Sequence, residues 1–340
     1  MSPSAPPGPA DSPRAGAAQE SPILLGDVCT ALLRHSRAVG EPIAEEILDL
    51  APALPVRSIA RPLRRTMSPD VVEGIHCRLP SGSGRRVEGI GTVASRATLT
   101  GGRIAQVASR VLVVAGAQGP RQGWSSYLAS PGRVERIGRG RSDDLVAGFL
   151  GPRPSGVLDL DAVAGRLLDR VQAAGPLDGA VPLRTIRTRL RFVVSAGSQQ
   201  LPGPPPRFSV NENGVRTLLL TTPLDDPDSV VALCEDVAVH DWLLTTLQRL
   251  VDGLDEAPSR VDRIQRLAPA IEQLLHLWMP GAHTGITLAW VWAALEGRPG
   301  FSRQWSSIVA RIRNELDLSV LRALSRSDLP AGVHRPAGEL

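Results

Sequence analysis

The chain has 340 residues, 42% of them hydrophobic and only 3% aromatic, so it can bury one large or two ordinary cores built mostly from Leu, Val, Ile and Ala. Its 38 basic residues are all arginine and stand against 34 carboxylates, for a net charge of +4. Three scattered cysteines, Cys29, Cys77 and Cys234, exclude a disulfide framework or a zinc ribbon, and no apolar run approaches the ~20 residues of a membrane helix. Together with the lack of a signal-peptide pattern, these features predict a cytoplasmic protein with no membrane association.

Charge is unevenly placed along the chain. From Arg57 to Arg141 there are 15 arginines and four carboxylates, a local net of +11, whereas Asp225 to Glu256 has nine carboxylates and one arginine, a net of −8. Opposed blocks of this kind either neutralise each other inside the fold or meet separate charged partners, and the sequence leaves both open.

Residues 1–20 are rich in Pro, Ala, Gly and Ser, a composition that predicts a disordered N-terminal tail. Ile23 to Arg37 fits a buried strand turning polar or a short helix, with strand the preferred reading, and Glu41-Pro42 followed by IAEEILDL reads as a short helix. From Val56 the pattern turns to period two: RRVEGIGTVASRATLT and RIAQVASRVLVV flank Gly101-Gly102 as a hairpin, and Trp124 to Gly140 reads as loop. Asp159 to Gly175 is an amphipathic helix that packs on the sheet. LRTIRTRLRFVV then sets Arg187, Arg189 and Arg191 on one strand face, with Ile186, Leu190 and Phe192 on the other. A Pro-rich loop from Pro202 to Pro206 precedes Asn213-Gly214, a second hairpin signal.

Asp226 to Leu254 forms the longest helical pattern, with Asp226 as cap, Pro227 in the first turn and Gly253 as stop. Val230, Leu233, Val237, His240, Leu244, Leu247 and Val251 make one stripe, and the opposite, acidic face carries Glu235, Asp236 and Asp241 as candidate partner-binding residues. Beyond it Val261 to Trp278 is a stripe broken by Pro269, Ile286 to Leu295 is apolar nearly all round and so the expected most buried helix of this half, and Trp305 to Leu316 is a further stripe. The fold class expected is α+β. A β-rich part over residues 21–225 precedes a helical part over 226–328, and residues 329–340 are a flexible tail.

No motif carries recognisable chemistry. His240 on an apolar stripe is a candidate general base, yet Asp241 points about 100° away on the helix and cannot orient it. His276 and His283, seven apart across a turn, match no zinc spacing, so neither a metal nor a cofactor is expected. Cys29 with His35, or Cys77 with His76, would pair a thiol with a base, but neither sits in a motif that exposes a thiolate. Ser81-Gly82-Ser83-Gly84-Arg85-Arg86 has the ingredients of an anion-binding turn. Arg85 and Arg86, with Arg187, Arg189 and Arg191, form a candidate phosphate or nucleic-acid surface without the interleaved aromatics that stack unpaired bases.

Three stretches, MSPDVVEGIHCRLPSGSGRRVEGIGTVASRATLTGG (Met67 to Gly102), LLDRVQ (Leu167 to Gln172) and CEDVAVHDWLLTTL (Cys234 to Leu247), resemble an uncharacterised family of actinobacterial proteins. The resemblance spans most of residues 21–325. It implies a gene neighbour encoding a variant P-loop protein, and hence a role as a non-enzymatic partner or adaptor in a multiprotein system. It implies no chemistry, since the family has no known activity.

Overall fold

In a computed structural model, residues 21–327 are described except 52, 117–121, 139, 153, 198–202 and 255–258. The tails expected over 1–20 and 329–340, and part of the Pro-rich loop, lie outside the described residues. The first half contains β1 (Ile23–Leu32), α1 (Glu41–Leu48), β2 (Arg57–Ile59), β3 (Arg65–Met67), β4 (Val71–Leu79), β5 (Val87–Thr100), β6 (Ile104–Ala115), α2 (Trp124–Leu128), β7 (Arg133–Ile137) and α3 (Ser142–Leu150). The second contains α4 (Leu160–Gln172), β8 (Thr188–Ala196), β9 (Arg207–Val210), β10 (Arg216–Thr222), α5 (Pro227–Asp252), α6 (Arg260–Gln273), α7 (Ala289–Gly297) and α8 (Phe301–Ser327). The fold is α+β, with a ten-stranded, mostly antiparallel sheet followed by helices. Among the described residues no helix is long and apolar enough to cross a membrane.

The sheet runs β2-β3-β5-β7-β6-β1-β8-β10-β9, with β4 also on β5 and β5 on β6. β1, mostly apolar and buried almost throughout, lies between β6 and β8, where both faces are covered. The two hairpins follow their glycines: Gly101 and Gly102 take φ of +60° and +64° between β5 and β6, and Gly214 takes +72° between β9 and β10.

The stretch read as loop from Trp124 to Gly140 instead contains β7. β5 and β6 pair only from Ala94 to Thr100, and β7 fills the gap beyond by pairing antiparallel to Glu88–Gly91 and parallel to Leu112–Ala115. Gly91 makes the insertion possible: at φ +151° a Cβ there would lie 2.1 Å from the Arg133 carbonyl oxygen. Five residues as charged as RVERI become a strand because a slot with unpaired backbone awaits them.

Helices cover both faces. On one, α1, α3 and α4 pack over Leu25, Cys29, Ala97, Val107, Val111 and Val193, as expected for α4. On the other, α5 lies against β1, β6 and β8, and α6 to α8 close over it. One continuous core joins Leu24, Val28, Phe192 and Leu218 of the sheet to Val237, Trp242 and Leu247 of α5 and to Leu267, Val291 and Ile308 beyond it. α6 runs through Pro269 without interruption and ends in a 3-10 turn, Leu275–Leu277, so the proline does not split it.

Across strands β1 and β8, Gly26 is the direct partner of Phe192, and the aromatic ring occupies the space a side chain at Gly26 would need. A Cβ there would meet three ring carbons at 2.0 to 2.7 Å. Gly26→Ala should therefore cost about 1–3 kcal/mol by overpacking, and Gly26→Ala with Phe192→Leu should recover part of it. Urea unfolding measures both; an unchanged midpoint in Gly26→Ala would contradict this packing.

Candidate functional site

α5 forms as its sequence dictates. The Asp226 carboxylate accepts the Ser229 amide at 3.2 Å, Pro227 occupies the first turn, and Gly253 ends the helix. Val230, Leu233, Val237, His240, Leu244, Leu247 and Val251 are all buried, as the stripe requires.

The other face departs from expectation. Glu235, Asp236 and Asp241 are 0%, 4% and 8% exposed, so none can meet a partner from the surface. The reason lies in the sheet. In register, Arg65, Arg96, Thr98, Thr100, Gln106, Thr30 and Arg110 occupy the same face of β3, β5, β6 and β1, forming a polar band that looks towards α5. The acidic side of the helix lies on that band.

Glu235 is the centre of the contact. Its carboxylate accepts from Nη2 of Arg65 and, at 3.3 and 3.4 Å, from Nη2 of Arg96; its backbone carbonyl accepts from Gln106 Nε2 at 2.9 Å. Gln106 donates also to Thr30 Oγ1 at 3.1 Å. The Glu235 charge in turn raises the proton affinity of the Arg96 guanidinium. Two turns earlier Arg110 grips Asp70 through both nitrogens at 2.8 and 3.2 Å and reaches Asp228 at 2.6 Å. At the far side Arg216 of β10 donates to Asp241 at 2.6 Å and Thr245 at 2.7 Å. Burial still raises the Asp241 carboxyl above its ordinary range, with Arg216 opposing the shift. The +11 and −8 blocks of the sequence thus meet inside the fold through Arg65, Arg96 and Arg110.

Asp236 and His240 point to the helical side. Asp236 Oδ2 accepts from Gly281 N at 2.8 Å, Trp292 Nε1 at 2.9 Å and Thr284 Oγ1 at 3.5 Å. His240, 2% exposed, accepts the Met279 amide on Nε2 at 3.2 Å, so its proton sits on Nδ1 and is donated to the Asp236 carbonyl at 2.7 Å. Trp278 and Trp292 stand edge-on to the ring at 4.9 and 5.4 Å. Burial lowers the proton affinity of His240, and both nitrogens are committed to backbone groups, which leaves no lone pair to serve as a general base.

The remaining candidates are held apart. Arg187 donates to Asp169, Arg189 to Asp161 at 2.7 Å, and the buried Arg191 to the Phe149 and Gly151 carbonyls at the end of α3, at 2.7 and 3.0 Å. These side chains tie β8 to α3 and α4. Arg86 pairs with Glu88 at 2.8 Å on the exposed turn after β4, and Arg85 is exposed beside it. That turn already holds an anion of its own: Asp144 of α3 accepts from Ser81 Oγ at 2.6 Å and the Ser83 amide at 2.7 Å, which lowers its proton affinity. Cys29 donates to Asp161 while His35 bonds Asp178, and His76 lies 3.5 Å from Glu88, so neither thiol has a histidine base. Burial raises the proton affinity of Cys29, Cys77 and Cys234 alike. Among the described residues no group of three or more His, Cys, Asp or Glu is arranged to hold a metal.

Sequence reasoning missed Arg65, Arg96, Arg110 and Arg216. Their signal was parity: Arg96, Thr98 and Thr100 alternate with apolar Ala97 and Leu99, a pattern that ordinarily marks a solvated face. No family model, curated protein or solved structure matches the chain.

Removing the Glu235 carboxylate leaves the buried Arg65 guanidinium without its partner and takes from the partly buried Arg96 its strongest counter-charge. Glu235→Ala should cost about 3–5 kcal/mol in urea unfolding, whereas replacing Arg65, Arg96 and Glu235 together by Met, Met and Leu should cost far less. Equal losses in the two variants would contradict the pairing.

Proposed function

We propose that this chain is a cytoplasmic, non-enzymatic partner in a multiprotein assembly and that it docks through the uncovered face of α7. One observation carries the reading. Ile286, Ala289, Trp290 and Ala293 follow one another at helical spacing and are all exposed, Ile286 at 93% and Trp290 at 38%. The apolar pattern from Ile286 to Leu295 predicts the most buried helix of this half. Only its other side, Leu288, Val291, Trp292 and Leu295, enters the core.

An isoleucine held almost fully in water within an ordered turn, one helical turn from a half-exposed tryptophan, gains about 25 cal/mol for each Å² that a partner covers. Apolar side chains spaced i, i+3, i+4, i+7 suit insertion into a groove on another protein. The acidic face of α5 cannot play this part, because its carboxylates hold the sheet. The partner most consistent with the sequence resemblance is a P-loop protein, whose nucleotide state would then modulate the complex.

A nucleic-acid role for the arginines has less support. Arg187, Arg189 and Arg191 serve α3 and α4, and Arg85 and Arg86 lie on a separate turn.

Tagged full-length protein recovered from its own cells with nuclease present tests the reading. Ile286→Asp with Trp290→Ala should lower recovery of a stoichiometric protein partner about tenfold or more while thermal unfolding stays within a few degrees of wild type. A partner retained by this variant would reject α7 as the docking face. Recovery of nucleic acid, lost with glutamine at Arg85, Arg86, Arg187 and Arg189, would put the arginines in its place.

A further inference from the structure

Between the 3-10 turn at Leu275–Leu277 and the next at Ile286–Leu288, the chain crosses the middle of α5. This segment is fastened to two residues one helical turn apart. The Met279 amide bonds His240 Nε2, and the Gly281 amide and Thr284 hydroxyl bond Asp236. Trp278 anchors its start by stacking on Trp305, with centroids 4.3 Å apart and planes 8° from parallel.

Beneath it is a narrow cleft with an internal volume of only about 10 Å³, lined by Leu63, Arg65, Thr100, Gln106, Val239 and Met279 together with Asp236, His240 and His283. Two histidines face this space, His240 from α5 and His283 from the crossing segment. Around His240 the charged groups are Asp236 on its own helix and Glu296 of α7. His283 faces Arg65 of β3 and, from α5, Asp236 and His240, and it hydrogen-bonds the backbone at Leu63. Its Nε2 is buried and makes no hydrogen bond.

We propose that the segment from Trp278 to Thr284 is an acid-released latch, held on α5 while His240 and His283 are neutral and detached when they gain protons, which opens the cleft over Arg65, Gln106 and Thr100. The chemistry is direct. The added proton on His240 goes to Nε2, turning the acceptor of the Met279 amide into a donor that faces a donor. On His283 it places a cation beside Arg65, whose own charge is bound to Glu235. Asp236 attracts a charged His240 through Oδ1, 3.5 Å from Nδ1, which opposes the effect of burial, but it offers no acceptor to a proton on Nε2.

Burial lowers the proton affinity of both histidines below the ordinary value of 6.5, with Arg65 adding to the shift at His283. A group whose folded value is depressed stabilises the closed form fully above 6.5 and loses that contribution as pH falls towards the folded value. Neither histidine takes part in the Arg65, Arg96, Arg110 and Arg216 pairs that hold α5 on the sheet, so the release stays local.

Hydrogen exchange of the full-length protein, expressed as protection factors from pH 8 to 4.5, reads the latch directly, with tryptophan emission in parallel. Protection over residues 278–284 should fall about tenfold or more below pH 6.5 while the middle of α5 stays protected, and emission should move to the red. In His240→Gln with His283→Gln the pH dependence of that peptide should vanish; should the pair fail to fold, His283→Gln alone should move the midpoint to lower pH. The same transition in these variants, or protection over 278–284 that is lost only together with α5, would overturn the proposal.

Discussion

A carboxylate fully removed from water must be matched by cations, and the match between Glu235 and the guanidinium groups of Arg65 and Arg96 fixes how α5 lies on the sheet. A helix 26 residues long could slide or rotate on an apolar surface at modest cost. A single buried charge contact removes that freedom, because any other register strands ions in a low-dielectric interior. Arg110 with Asp228 and Arg216 with Asp241 repeat the constraint towards either end of the helix. Everything on the far side of α5 inherits its position, including the Trp278–Thr284 crossing and the placement of α7.

The elements were largely legible in the sequence. Asp226, Pro227 and Gly253 mark α5, the paired glycines mark the β5–β6 turn, and Asn213-Gly214 marks the β9–β10 turn, since each signal acts through its own backbone. β7 was not legible. It owes its strand to the gap between β5 and β6, a long-range feature that its five residues do not encode. α7 was misread in the opposite sense: an all-round apolar pattern ordinarily means burial, yet one side of this helix is uncovered.

The polar centre was half legible. Charge counting shows a basic block and an acidic block that can neutralise each other, and Arg65, Arg96 and Arg110 with Glu235 and Asp228 realise that pairing. What local pattern cannot give is the side on which it happens. Alternating Arg96, Thr98 and Thr100 read as a wet face, and Glu235, Asp236 and Asp241 read as a wet helix side, because periodicity reports the contrast between two faces and not what covers either. Two polar surfaces that cover each other look the same in sequence as two that meet water. His240 illustrates the same point: its place on an apolar stripe was evident, but the Met279 amide that takes its lone pair comes from 39 residues away.

The sheet is held between two helical layers, with Glu235 and its arginines turned inward and Ile286 and Trp290 left exposed. That arrangement rests on α5 joining the sheet and the C-terminal helices into one cooperative body. Differential scanning calorimetry tests this most directly. The account predicts a single transition whose calorimetric and van't Hoff enthalpies agree. Two resolved transitions, with the helical part melting apart from the sheet, would contradict it.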